Sequence, residues 1–143
     1  MNRVLVDVNV VLDVLFERDP HFASSAAVCL AVEKGATEGL LAAQAVTTIY
    51  YFVRKEQGPA RAARAIGSIL RLFRVAAVDG SVLHEALQLV GPDFEDSVTA
   101  AAARLAGCDL IVTRDPAGFR GSPLRVLTPE EAAPLLSRKP PHH

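Results

Sequence analysis

Short apolar runs alternate along this chain with longer stretches in which apolar side chains recur every three or four positions. Val4–Val6 is the first run and predicts a strand. Val10, Val11, Val14 and Leu15 follow at helical spacing, and Arg18-Asp19-Pro20 breaks that helix. His21 to Lys34 reads as a second helix, stopped by Gly35. Glu38 to Ala43 predicts a second strand. Gln44 to Glu56 reads as a helix despite its β-branched residues, because it is long and ends at Gly58-Pro59. Pro59 suits the first position of a further helix running to about Arg71. Arg74 to Val78 predicts a third strand and Ser81 to Val90 a helix, with Gly91-Pro92 as the break. Phe94 to Ala106, with four successive alanines, is again helical. Asp109–Val112 and Arg125–Leu127 complete the strands. Thr128-Pro129-Glu130-Glu131 opens a last helix with good capping chemistry. Strands alternating with helices predict an α/β fold, a three-layer α/β/α sandwich around a mostly parallel sheet.

A length of 143 residues suits one domain with a substantial core. We read residues 1–137 as that domain and 138–143 as a polar, proline-bearing tail that resembles the remnant of a purification tag. Half of the residues are hydrophobic, which excludes a disordered chain. The longest apolar stretch, Leu40 to Val53, is interrupted by Gln44, Thr47 and Thr48, too short and too polar to span a bilayer. Met1-Asn2-Arg3 passes straight into a strand, so no signal peptide is expected. Cys29 and Cys108 sit in apolar contexts and read as reduced thiols of a cytoplasmic protein.

The net charge of −1 hides a segregation. Between Arg54 and Arg74 stand six bases and one acid, giving +5, while residues 1–53 and 75–143 carry −3 each. In the basic segment Arg61, Arg64 and Arg71 share one helix face, with Ala62, Ile66, Ile69, Leu70 and Phe73 on the other. A solvated face accounts for this pattern. Binding of a polyanion is the reading we favour.

Four carboxylates stand where an open parallel sheet would gather a ligand. Asp7 ends the first apolar run, and Asp115 lies just past Leu110-Ile111-Val112. Asp93 and Asp96 open the alanine-rich helix between them. Ligands of such sheets bind at the carboxyl ends of the strands. Clustered carboxylates repel unless a cation joins them, and a divalent metal is the simplest one. Each acid also has a structural reading. Asp7 suits a helix cap. Asp93-Phe94-Glu95-Asp96 resembles a capping box, and acids there suit the helix dipole. Asp115 before Pro116 suits a turn. Glu95 is expected to point elsewhere. Asp13 and Asp79 read as structural or solvent-facing, and His21 and His84 as ordinary helix residues. The combination favours a site, since the acids fall where one pocket would collect them.

The stretch Val4-Leu5-Val6-Asp7-Val8-Asn9-Val10-Val11-Leu12-Asp13 resembles the opening of PIN-domain ribonucleases. Asp93-Phe94-Glu95-Asp96-Ser97-Val98-Thr99 resembles that family's third acidic motif, and Asp109 through Thr113-Arg114-Asp115-Pro116 to Phe119 its fourth. The similarity spans Arg3 to about Leu136, and the chain looks like the toxins of bacterial VapBC toxin–antitoxin pairs. The resemblance implies Asp7, Asp96 and Asp115 as metal-binding acids, with Asn9 and Thr113 as supporting polar residues. It further implies Mg²⁺ or Mn²⁺, RNA cleavage, homodimerisation and an antitoxin that blocks the site. One departure stands out. Thr48 occupies the position where the family usually carries a glutamate, and a hydroxyl is a weaker ligand than a carboxylate. Asp93, one turn from Asp96, would supply the missing charge.

The implied reaction is hydrolysis of an RNA phosphodiester with one or two divalent ions. Two rivals exist. A haloacid-dehalogenase-type phosphatase would have an aspartate where Asn9 stands and a lysine before the last acidic motif, and Lys34, Lys55 and Lys139 are poorly placed. A non-catalytic PIN-like module that binds RNA or a protein partner is the other, made plausible by Thr48.

Overall fold

In the computed structural model, which describes residues 2–138, five strands and seven helices alternate as predicted. Strand β1 (Arg3–Val6) is followed by α1 (Val8–Leu15) and α2 (Phe22–Glu33). Strand β2 (Glu38–Ala42) leads into α3 (Ala43–Gln57) and α4 (Pro59–Leu72). Strand β3 (Arg74–Ala76) leads into α5 (Gly80–Gln88) and α6 (Phe94–Leu105). Strands β4 (Leu110–Val112) and β5 (Arg125–Leu127) close the sheet, and α7 (Pro129–Leu136) ends the fold. The Lys139–His143 part of the proposed tail lies outside the described residues.

All four strand pairings are parallel, in the order β3-β2-β1-β4-β5. The strand order therefore reverses direction between β1 and β4. That is the switch point where an open α/β sheet leaves a crevice at its carboxyl edge.

Alternation along the strands makes the three layers. Val4, Val6, Leu41, Leu110, Val112 and Leu127 face a core shared with α1, α2, α3, α4 and α7. Leu5, Leu40, Ala42, Ala76 and Ile111 face the opposite core, built with α5 and α6. Ala100 to Ala103 are all at most 2% exposed, so the alanine run lets α6 lie close against the sheet. At β2, Gly39 permits a similarly close approach, since a Cβ there would fall 2.7 Å from a Val32 methyl. Cys29 and Cys108 are free thiols belonging to opposite cores, and burial raises both to about 11.

Three details differ from the sequence pattern. Strand β3 stops at Ala76 rather than Val78. Leu70 is 49% exposed, because it flanks the buried stripe of α4 formed by Ala62, Ile69 and Phe73. A 3-10 turn over Pro116–Phe119, which carried no periodic signal, follows β4. No described helix is long and apolar enough to cross a membrane.

Candidate active site

Strand register brings the first two partners together. Val6 pairs with Val112, so the next residues, Asp7 and Thr113, leave the sheet side by side at the switch point. A slip of one residue would reverse every side chain on the strand, and the buried faces forbid it. Asp7 serves two ends at once. Its Oδ1 accepts the Val8 N–H at 2.8 Å and caps α1, while Oδ2 accepts the Thr113 hydroxyl at 2.8 Å. Capping and a place in the site are therefore compatible.

Thr113 is fully buried, and its Oγ1 also accepts the Asp115 N–H at 3.1 Å and the Asn9 amide at 3.4 Å. Asn9 Oδ1 accepts the Arg114 N–H at 3.2 Å. Asn9 and Thr113 thus bind the start of α1 to the loop that carries Asp115.

The first turn of α6 enters from the other side. Asp93 is its N-cap, accepting the Asp96 N–H at 3.0 Å, so the capping interpretation holds for this residue. Asp7, Asp93, Asp96 and Asp115 all line one cleft of about 250 Å³, together with Asn9, Gln44 and Thr99. Glu95 lines it too, contrary to the expectation that it points elsewhere. The helix meets the cleft end-on, so successive residues of its first turn border the same space.

These carboxylates are electrostatically strained. Burial raises the proton affinity of Asp7, with the hydrogen bonds from Thr113 and Val8 opposing and the charges of Glu95 and Asp115 reinforcing. Asp96 is pushed up to about 7, first by burial and then by Asp7, Asp93, Asp115 and Glu95. Each like charge nearby disfavours the ionised form.

Hard oxygen donors in a cluster short of positive charge fit a divalent cation in donor type and in charge. The side chains as placed do not yet converge: among the described residues, no group of three His, Cys, Asp or Glu could hold a metal ion where it stands. Asp96 explains part of this. Its Oδ2 is turned onto Gly118 of the 3-10 turn, where a Cβ would fall 2.0 Å away. Gly118 is thus a supporting position that no spacing rule in the sequence marks.

The α3 wall also differs from expectation. Gln44 and Ala45 line the cleft, whereas the Thr48 hydroxyl is turned back to donate to the Gln44 carbonyl at 3.1 Å. Gln44 Nε2 donates to Thr99 Oγ1 at 3.2 Å, and its buried Oε1 has no partner among the described residues. Arg61, Arg64 and Arg71 are exposed on α4 and lie outside the residues that line the cleft. Asp79 caps α5 by accepting the Val82 N–H at 3.1 Å, a structural role. Asp13 is wholly buried rather than solvent-facing.

Comparison with known proteins agrees with this arrangement. The chain is 25% identical over 134 residues to "Ribonuclease VapC1" of Aquifex aeolicus, covering 90% of this chain and 92% of that one. FitAcB from Neisseria gonorrhoeae superposes with a TM-score of 0.71 at 21% identity, covering 89% of this chain and 98% of the other. A toxin–antitoxin complex from Klebsiella pneumoniae superposes with a TM-score of 0.66 at 19% identity, covering 88% and 97%. Residues 3–117 match the PIN domain family. Most of the chain is covered by that match, and the protein belongs to the PIN-domain family.

Proposed function

We propose that this protein is a divalent-metal-dependent endoribonuclease that serves as the toxin of a toxin–antitoxin pair. The observation that carries the reading is one cleft lined by acids from the β1 end, the α6 start and the β4 end. Asp7, Asp96 and Asp115 would hold Mg²⁺ or Mn²⁺, with Asp93 and Glu95 adding negative charge around them. Bound there, the ion supplies positive charge to the phosphoryl oxygens and acidifies the attacking water. Thr113 fixes the direction of Asp7 through its hydroxyl and of Asp115 through its backbone N–H. Asp96 holds a proton near neutral pH until a cation displaces it.

Arg61, Arg64 and Arg71 would hold the RNA by its phosphates on either side of the cleft. Likeness to a toxin–antitoxin complex supports a cognate antitoxin as partner. Leu83, Leu87 and Val90 are 43%, 67% and 89% exposed along and just beyond α5, which supports assembly as a homodimer. We place its action in the cytoplasm. A second reading, a non-catalytic module, is favoured by the unconverged carboxylates and by Thr48.

Purified protein with structured RNA separates the two. The nuclease is expected to cut with Mn²⁺ present and to stop when a chelator is added. RNA binding without cleavage at any Mn²⁺ or Mg²⁺ concentration would establish the second reading.

A further inference from the structure

Asp13 lies one helical turn after Asn9 on α1, so the two side chains face the same loop. Asp13 is 0% exposed. Its Oδ1 accepts from Arg114 Nη1 at 2.9 Å, and its buried Oδ2 has no partner among the described residues. The Arg114 side chain is 34% exposed. Arg114 sits between Thr113 and Asp115. Helix α1 and its cap therefore grip the loop at three levels: Asp7 on the Thr113 hydroxyl, Asn9 on the Arg114 backbone and Asp13 on the Arg114 guanidinium.

The third grip differs from the other two. Neither Asp13 nor the Arg114 side chain lines the cleft. Stability does not account for the pair well. A buried ion pair loses in desolvation about what it gains in attraction, and apolar replacements are often equally stable. The unpartnered Oδ2 tilts that balance further against it. The placement does account for it, because a guanidinium anchored in the core fixes the chain between Thr113 and Asp115.

We propose that the Asp13–Arg114 pair is a positioning device that sets the direction in which Asp115 leaves β4, and thereby the affinity of the cleft for a divalent cation. The inference rests on the metal-binding part of the proposed function. Both residues act through Asp115 and touch neither cation nor substrate.

The test uses the full chain and Mn²⁺ alone, without RNA. Asp13→Leu, Arg114→Met and the double variant are compared by thermal unfolding and by calorimetric Mn²⁺ titration. Each single change leaves a charge without its partner and is expected to lower stability, Arg114→Met the more because Asp13 stays buried. The double variant is expected to recover stability yet bind Mn²⁺ about tenfold more weakly than the parent, the scale of losses at groups that orient ligands. Arg114→Lys keeps the charge and is expected to stay within about threefold of the parent. Parent-like Mn²⁺ affinity in any folded variant that lacks the pair overturns the proposal. So does a loss in Arg114→Lys as large as in Arg114→Met, since the guanidinium would then matter for something other than pairing. A parent that binds no Mn²⁺ overturns the metal reading itself, a result distinct from either of these.

Discussion

The acidic cleft and the basic face of α4 hold opposite charges under opposite conditions. In the cleft, Asp7 is 8% exposed and Asp96 keeps a proton up to about 7. On α4, Arg61, Arg64 and Arg71 are exposed, and Arg71 reaches only its helix neighbour Ser68, at 3.4 Å. Charges withdrawn from water couple strongly because little solvent screens them. Exposed charges farther apart than a Debye length hardly sense one another. The difference teaches where single substitutions matter. One atom changed in the cleft alters every neighbour, whereas α4 acts as a sum of small, separable contributions.

The largest effect is expected from Asp96→Asn. It removes a carboxylate from the proposed cation site with little change in shape, and cleavage should fall by about a thousandfold or more if the ion acts there. Stability should move the other way. In the folded parent Asp96 holds its proton up to about 7, while the unfolded chain releases it near the model value of 3.8. Between those values the folded state binds more protons, so parent stability falls as pH rises and the penalty is complete above about 7. The Asn variant lacks this decline. In chelator it should unfold at a higher temperature than the parent at pH 8 and at about the same temperature at pH 4. Added Mn²⁺ should raise the parent and leave the variant unchanged. Equal unfolding temperatures at pH 8 would mean that the cleft is not short of positive charge.

A smaller effect, carried by geometry rather than charge, is expected from Thr113→Val. The side chain keeps its shape and loses the hydroxyl that serves Asp7, Asp115 and Asn9 together. Leaving the Asp115 N–H and an Asp7 oxygen without partners should cost about 1–3 kcal/mol of stability. Mn²⁺ affinity should drop about 10–100-fold, as for other groups that orient metal ligands. Thr113→Ser retains the hydroxyl and should recover most of both. Parent-like Mn²⁺ binding by the Val variant would show that the cleft does not depend on this hydrogen-bond centre.

Strand-end acids were readable because sheet register converts sequence position into spatial position. Once Val6 and Val112 are neighbours, Asp7 and Thr113 must be. The capping box of Thr128 and Glu131 and the Pro59 helix start were equally local, and both form. Gln44, Gly118 and Glu95 were not readable in this way. Gln44 lines the cleft because of how α3 leaves β2, and Gly118 matters because a separate helix lays Asp96 upon it. Glu95 was misjudged because helical spacing describes contacts along a flank, while α6 meets the cleft at its end. The Asp13–Arg114 pair links residues 101 positions apart, and an Asp inside an apolar helix gives no sign of its partner.

The smallest effect on chemistry is expected from the triple change of Arg61, Arg64 and Arg71 to Gln, and it probes the other side of the comparison. If α4 contributes only screened phosphate contacts, the fold should be untouched, because these side chains are exposed while Ala62, Ile69 and Phe73 secure the helix. The cleavage rate at saturating RNA should stay at the parent value, since none of the three lines the cleft. Only binding should change. Each phosphate contact to a single strand contributes about 0.7 to the slope of log affinity against log salt, so losing three should flatten that slope by up to about 2. Fluorescence anisotropy of labelled RNA from low to moderate salt measures it directly, with Asp96→Asn as the background so that no RNA is cut. Each single Gln change should give about a third of the effect, because exposed charges this weakly coupled add. An unchanged slope would return the face to simple solvation. A single arginine that carries the whole effect would break the comparison instead, by placing on α4 a contact as specific as those in the cleft.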